Sequence, residues 1–187
     1  MKKLLTDRRF AAAVLAVVVL VFTPLGAGMS LKRAVGRVEE QFFTGIDGRG
    51  AVSDLLSDSV DAALGLISVG ANYEAARDET GALREDRGLL MDALKGGDIS
   101  EIQGANALTV RSFNALRDTL LSLPLTEDDA MSVDYYARSF EGAQGAVSHA
   151  GYDEAVTEFI AGTYERFPAK LIGSALGVEP PQSFHEV

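Results

Sequence analysis

The sequence predicts an all-α protein, an elongated antiparallel up-and-down helical bundle preceded by an N-terminal transmembrane helix. Three observations support this fold class. An unbroken apolar run extends from Phe10 to Phe22, apolar residues beyond it recur every three or four positions, and runs that alternate apolar and polar residues are nearly absent. The chain has 187 residues, which is the size of a single domain.

The N-terminal hydrophobic segment is the most specific signal in the sequence. The 20 residues from Phe10 to Met29 contain no charge, and at about 1.5 Å per residue a helix of that length spans roughly the 30 Å hydrocarbon core of a bilayer. We therefore expect a short basic segment at residues 1–9 and a membrane anchor at residues 10–29 whose apolar side chains contact lipid, among them Phe10, Val14, Val18 and Phe22. A cleaved signal peptide is the alternative, because the segment has a basic start and a small-residue stretch at residues 26–28.

Charge predicts the orientation of the anchor and limits the partners of the protein. Four basic residues precede the apolar run, against Lys32, Arg33 and Arg37 after it, which favours a cytoplasmic N-terminus and an extracytoplasmic bundle. The whole chain carries 17 Lys and Arg against 27 Asp and Glu, a net charge of −10, and such a surface is unsuited to nucleic acid. The absence of cysteine excludes disulfides and thiolate zinc sites.

The bundle is expected at residues 30–179 and a C-terminal tail at residues 180–187. The first helix should continue to about Phe43, followed by a turn at residues 45–50 and helices near residues 51–76, 79–95, 98–122 and 127–167. Two apolar stripes in the last segment are out of phase, which predicts a bend, π-bulge or short break at Ala150-Gly151. Short turns between these helices make neighbours antiparallel.

Helix ends and one polar seam refine this arrangement. Asp98 and Thr126 each precede an apolar-periodic segment and are expected to be N-caps. In the segment 98–122, Asn106 and Thr109 occupy the apolar stripe. A polar residue at a core position can fix the register of a bundle, and the alternative is a contact with a ligand in a pocket between helices.

Few residues are arranged for chemistry. The acids at residues 127–129 could bind a metal ion, but three acids in a first helical turn more often interact favourably with the positive end of the helix dipole. Ser148 and His149 are neighbours on a helix and are not expected to face each other as nucleophile and base. We therefore expect no catalytic residue, no metal and no cofactor. The last helix carries Tyr135, Tyr136, Tyr152 and Tyr164. We expect these tyrosines to pack in the core, and the alternative is that they form a groove that binds a partner.

One C-terminal stretch carries a recognisable motif, made by Tyr152, Asp153, Val156, Phe159, Phe167, Pro168, Leu171 and Gly177. It resembles the end of LemA family proteins, as does the plan of an N-terminal anchor followed by a helix that opens at residues 53–55. Asp153 stands where the family tends to have Asn, and the early arginine-rich signature is missing, so the chain resembles a divergent, short member. The resemblance implies a membrane-anchored helical bundle without established catalytic residues.

These observations lead to a functional expectation. The chain should be a non-enzymatic, single-pass membrane protein that contacts lipid through its N-terminal helix and binds other envelope proteins or itself, acting as an interaction or scaffolding module. The alternative is a ligand-sensing or transport-accessory bundle with a pocket between helices near Asn106 and Thr109.

Overall fold

The computed structural model describes the backbone of residues 8–185 and the side chains of residues 25–185, and over that range the chain is all-α, without strands. The all-α helical bundle predicted from the sequence is thereby confirmed. The α-helices are α1 (Arg8–Thr44), α2 (Val52–Gly70), α3 (Arg77–Gly96), α4 (Ile99–Leu121), α5 (Glu127–Val147), α6 (Tyr152–Phe159) and α7 (Ala169–Leu176). A 3-10 turn covers Glu74–Ala76, and a π-helical segment covers Ile160–Tyr164.

The described residues divide into two compact units. The first comprises residues 8–40 and 154–181, and the second comprises residues 41–153 and 182–185. The second unit contains the bundle: α2 packs mainly against α5, α3 packs mainly against α4, and α2 also contacts α3.

The core of the bundle follows the apolar stripes that the sequence predicts. In α4, the residues of the predicted stripe from Ile99 to Leu120 are buried. The main hydrophobic cluster joins that stripe to α2, α3 and α5, with members that include Leu66, Ile67, Leu83, Phe113, Leu116, Leu120, Val133 and Phe140. Since one helical face from each element meets in this cluster, burial of apolar surface stabilises all four helices together.

The predicted helix caps are confirmed. The Asp98 carboxylate accepts hydrogen bonds from the backbone N–H groups of Ser100 and Glu101, at 2.9 and 3.1 Å. The Thr126 hydroxyl oxygen accepts one from the backbone N–H of Asp129 at 3.2 Å. Each cap satisfies donors that the first turn of a helix leaves without partners.

The helix predicted over residues 51–76 is shorter in the structure. It ends at Gly70, and the chain turns before the 3-10 segment. The Tyr73 hydroxyl explains the turn, because it donates to the Asp129 carboxylate at 2.6 Å and accepts from the backbone N–H of Thr126 at 3.3 Å. These contacts connect the end of α2 to the start of α5. Tyr73 makes them from an extended backbone conformation, which a continuous helix through residue 73 would not allow.

The helix predicted over residues 127–167 is interrupted twice. The break expected at Ala150-Gly151 is confirmed: α5 ends at Val147, and Gly151 adopts a positive φ of 84° before α6 begins. The second interruption, the π-helical segment Ile160–Tyr164, was not expected. A π-turn accommodates one additional residue relative to an α-helical turn.

Among residues 25–185, whose side chains the structure describes, no helix combines the length and the hydropathy that crossing a bilayer requires. The side chains of the predicted anchor residues Phe10, Val14, Val18 and Phe22 lie outside the described residues.

Candidate functional site

A groove lies between α2 and α5 in the second unit. Its volume is about 560 Å³, and we call it the α2–α5 groove. It is lined from α2 by Leu55, Asp58, Asp61 and Ala62, and from α5 by Tyr135, Tyr136, Arg138, Ser139, Gly142, Ala143 and Ala146.

The groove exists because both helices carry small residues where they face it. Ala62 of α2 and Gly142, Ala143 and Ala146 of α5 are too short to fill the space between the two backbones. At one end the ring of Tyr136 lies directly against Gly65, where a Cβ atom would overlap it. The small side chains therefore give the groove an apolar floor, and Tyr136 closes one end.

The rim of the groove is acidic and aromatic. Asp58 and Asp61 are exposed on the α2 side, and Tyr135 is 65% exposed on the α5 side. The Tyr135 ring packs edge-on against Tyr136 with ring centroids 5.3 Å apart. Arg138 is engaged by Asp134, one turn earlier on the same helix, through contacts of 3.1 and 3.0 Å. The arrangement therefore offers an apolar channel whose α2 rim carries two carboxylates.

Gly65 provides a test of this packing. Gly65→Ala is expected to lower the free energy of unfolding by about 1 kcal/mol, because the added methyl displaces the Tyr136 ring. Gly104→Ala is the control: it lies mid-helix on α4 with open space at its Cβ, so it should raise the free energy of unfolding by about 0.5–1 kcal/mol through helix propensity. Urea unfolding of the two variants in detergent would show this opposite sign, and equal shifts would contradict the described contact.

The predicted polar seam residues are satisfied by protein groups. Asn106 and Gln144 exchange a pair of amide hydrogen bonds between α4 and α5: Asn106 Nδ2 donates to Gln144 Oε1 at 3.2 Å, and Gln144 Nε2 donates to Asn106 Oδ1 at 2.8 Å. Gln144 Nε2 also lies 3.2 Å from the Ser59 hydroxyl of α2. The Thr109 hydroxyl is fully buried within hydrogen-bond distance of the carbonyl oxygens of Ala105 and Asp86. This network favours the register interpretation over the ligand-pocket interpretation.

The LemA-like motif residues Tyr152 and Asp153 hold the C-terminal tail. The Tyr152 hydroxyl donates to the Gln182 carbonyl at 2.8 Å. The Asp153 carboxylate accepts from the Ser183 hydroxyl at 2.7 Å and from the Phe184 backbone N–H at 2.6 Å, and it contacts His185 Nδ1 at 2.7 Å. We call these contacts the tail clamp. Because one carboxylate receives several donors, the tail is fixed in this unit rather than free in solvent.

An aromatic cluster completes the tail clamp. Phe184 is buried and packs against Phe42 with ring centroids 5.4 Å apart. Phe42 also packs edge-on against Tyr152 at 5.3 Å. The tail is therefore part of the folded structure. The sequence signal that could have revealed this is Phe184, an isolated aromatic residue that directly follows Gln182 and Ser183.

Acid is expected to weaken the tail clamp. Burial raises the pKa of Asp153. Hydrogen bonds from His185, Ser183 and the tail backbone lower the pKa by more than burial raises it, so the pKa of Asp153 is below its ordinary value. A carboxylate whose pKa is lower in the folded protein contributes stability above its unfolded pKa of about 3.9, and loses that contribution as the pH falls through the folded pKa. Urea unfolding at neutral pH and at roughly pH 3 should show a smaller decrease in stability for Asp153→Asn than for the parent chain.

The matched control for this experiment is Glu154→Gln, an exposed carboxyl next to Asp153 on the same helix. Its pH dependence should follow that of the parent chain. If Asp153→Asn retains the full acid sensitivity, the tail clamp does not carry this linkage.

The remaining motif residues divide into buried and exposed sets. Val156 is buried, Phe159 is half-buried at the end of α6, Pro168 precedes α7, and Gly177 ends α7 with a positive φ of 64°. Phe167 and Leu171, by contrast, are 85% and 65% exposed. Structural packing therefore accounts for only part of the motif.

Ser148 and His149 lie closer together than the sequence predicts. The Ser148 hydroxyl is 3.1 Å from His149 Nδ1, because both residues lie where α5 ends and the helical geometry is released. His149 Nδ1 is also 2.8 Å from the Gly145 carbonyl oxygen. The Ser148 hydroxyl donates to the same carbonyl oxygen at 2.8 Å, so its proton is directed at the backbone and not at the imidazole. The pair therefore caps the helix end.

Among the three acids at the start of α5, Asp129 contacts groups at a helix end. The Asp129 carboxylate accepts from the hydroxyls of Tyr73 and Thr126, at 2.6 and 2.8 Å. The hydrogen bond from Tyr73 has the larger effect and that from Thr126 the smaller, and both lower the pKa of Asp129. Among residues 25–185, no cluster of three or more histidine and carboxylate side chains is arranged to hold a metal ion.

No protein-family model, curated protein or solved structure matches this chain.

Proposed function

We propose that this protein is a membrane-anchored helical bundle that acts without catalysis, by binding another protein of the cell envelope in the α2–α5 groove. The observation that carries the proposal is the groove itself, an apolar channel of about 560 Å³ with an exposed tyrosine on one rim and two carboxylates on the other. The polar groups of Asp98, Thr126, Asn106 and Asp153 are already engaged in caps, in the seam and in the tail clamp.

The groove favours an amphipathic segment with basic residues as its occupant. Helices dock into apolar grooves through a stripe of small or apolar side chains, and aromatic residues such as Tyr135 commonly carry much of the binding energy. Asp58 and Asp61 would pair with Lys or Arg of the partner. A second copy of this chain is a poorer occupant, because each copy has a net charge of −10.

Membrane anchorage forms the second part of the proposal. Its support is the uncharged apolar stretch at residues 10–29 and the basic residues before it, which favour a single-pass protein with the bundle outside the cytoplasm. The LemA resemblance agrees with this plan and remains a prediction. Protease treatment of spheroplasts that produce a C-terminally tagged chain should digest the bundle, and protection of the tag would put the bundle in the cytoplasm.

The groove is tested by site-specific photocrosslinking of the full chain in cells that produce it. A benzoylphenylalanine at position 135 should give an adduct of one defined mass, and the double charge reversal Asp58→Lys, Asp61→Lys should abolish it. The matched control is the same crosslinker at Leu108, an exposed apolar position on α4.

Three results would overturn the groove proposal. They are equal adduct yield at positions 135 and 108, an adduct that survives the charge reversal, and an adduct with twice the mass of the chain, which would identify a second copy as the occupant.

A further inference from the structure

Helix α7 packs against the end of α1 in the first unit. A Cβ atom on Gly28 would overlap the side chain of Leu176 and would lie 3.7 Å from Cγ2 of Ile172. A Cβ atom on Gly173 would lie 3.4 Å from Cδ2 of Leu31. The two glycines therefore allow α1 and α7 to approach closely, and this contact fixes α7 beside residues 28–31.

Both helices of this pair also carry exposed apolar side chains. Phe167 and Leu171 project from α7 and the segment before it, with exposures of 85% and 65%, and Leu25 and Met29 are exposed on α1. We call these four residues, together with Lys170, the apolar patch. Large apolar side chains exposed along one helix pair indicate a surface that is covered in use.

The charge close to this helix pair differs from that of the whole chain. Residues 25–37 and 164–176 carry five basic side chains and one acidic one, whereas the full chain has 17 basic and 27 acidic residues. A groove lined by Ser30, Arg33, Gly36, Arg37 and Glu40 runs along the same part of α1, with two basic side chains and one acidic one. A surface that is apolar and locally basic on an otherwise acidic protein complements anionic lipid better than it complements a second copy of the chain.

The continuity of α1 gives the patch its position. This helix runs without interruption over Arg8–Thr44. If residues 10–29 span the hydrocarbon core, as proposed above, then Gly28 lies where the helix leaves it, since each residue advances about 1.5 Å. Because α7 packs at Gly28 and Leu31, it lies at the level of the lipid headgroups.

We propose that α7 and residues 25–37 of α1 form a membrane-binding surface that seats in the headgroup layer of an anionic bilayer. Met29 lies at the boundary between headgroups and acyl chains, Leu171 and Phe167 lie among the headgroups, and Arg33, Arg37 and Lys170 contact lipid phosphates. This inference rests on the proposed membrane anchorage, and it assigns a role to the exposed half of the LemA-like motif.

The absence of cysteine makes a clean test available, because a single introduced cysteine can be labelled in the full chain. Leu171→Cys carrying an environment-sensitive fluorophore is reconstituted into vesicles of phosphatidylcholine with phosphatidylglycerol, some of the lipid bearing a nitroxide near the headgroup. Leu121→Cys is the matched control, since the two leucines are 65% and 62% exposed. We expect blue-shifted, strongly quenched emission at position 171 and weak quenching at position 121.

Sedimentation with the vesicles separates the two proposals. If the chain pellets with the vesicles and position 171 is as accessible to water as position 121, the anchorage stands and the membrane-binding surface is wrong. If the chain does not pellet, both are wrong. Emission at position 171 that is blue-shifted without nitroxide quenching would mean that protein covers the patch, and equal quenching in phosphatidylcholine alone would overturn the anionic preference.

Discussion

Replacing Phe113 with alanine is expected to lower the free energy of unfolding by about 3–5 kcal/mol, the largest effect of any single substitution considered. Phe113 is fully buried in the main hydrophobic cluster. Its ring stacks on that of Phe140 of α5, with centroids 3.9 Å apart and planes at 7°. Alanine would remove the stacked ring and leave a cavity between α4 and α5 that a four-helix core can close only in part.

Urea unfolding of the full chain in detergent, followed by far-UV circular dichroism, measures this effect. The control is Leu121→Ala, which also removes an apolar side chain from α4 but at a position 62% exposed, and it should change the free energy of unfolding by less than about 1 kcal/mol. A loss for Phe113→Ala that is no larger than the loss for Leu121→Ala would mean that the described core is wrong.

Phe113 also illustrates what periodicity in the sequence can predict. The stripe of α4, from Ile99 to Leu120, repeats every three or four residues, and this repeat depends only on helical geometry and on which side chains avoid water. The caps at Asp98 and Thr126 were predictable for the same reason, since each acts on donors two or three residues away.

Long-range contacts explain where the sequence interpretation failed. The early end of α2 depends on the Tyr73 hydroxyl reaching Asp129, 56 residues further along the chain. The folded tail depends on Asp153 receiving donors about 30 residues away. Neither partner is marked by local spacing, so hydropathy and cap signals could predict the elements but not these ends.

The candidate groove was only partly accessible from the sequence. Tyr135 and Tyr136 could be identified as a possible aromatic surface on one helix. Asp58 and Asp61 could not be assigned to the same site, because the groove arises from the smallness of Ala62 and its counterparts on α5. A space between two helices forms where both carry small side chains at facing positions. Periodicity within one helix does not show which positions of the other helix it faces.

The second large effect is expected for Asn106→Leu, which should lower the free energy of unfolding by about 1–3 kcal/mol. The substitution removes the donor to Gln144 Oε1 and the acceptor for Gln144 Nε2, and the latter would keep only the Ser59 hydroxyl. Gln144 lies on α5, half-buried against α2 and α4, so water replaces these partners incompletely. The decrease in the free energy of unfolding arises because Gln144 loses hydrogen-bond partners, since leucine at position 106 is itself compatible with an apolar seam.

A double-mutant cycle with Gln144→Leu separates these contributions. If the amide pair is the interacting unit, Asn106→Leu combined with Gln144→Leu should be more stable than the sum of the two single changes predicts, with a coupling of about 0.5–3 kcal/mol. The all-apolar seam would also lose the polar contact that opposes sliding of α4 along α5, so its urea transition should broaden even where stability recovers. Asn106→Leu that stabilises the chain by itself, with additive behaviour in the cycle, would mean that the amide pair fixes neither stability nor register.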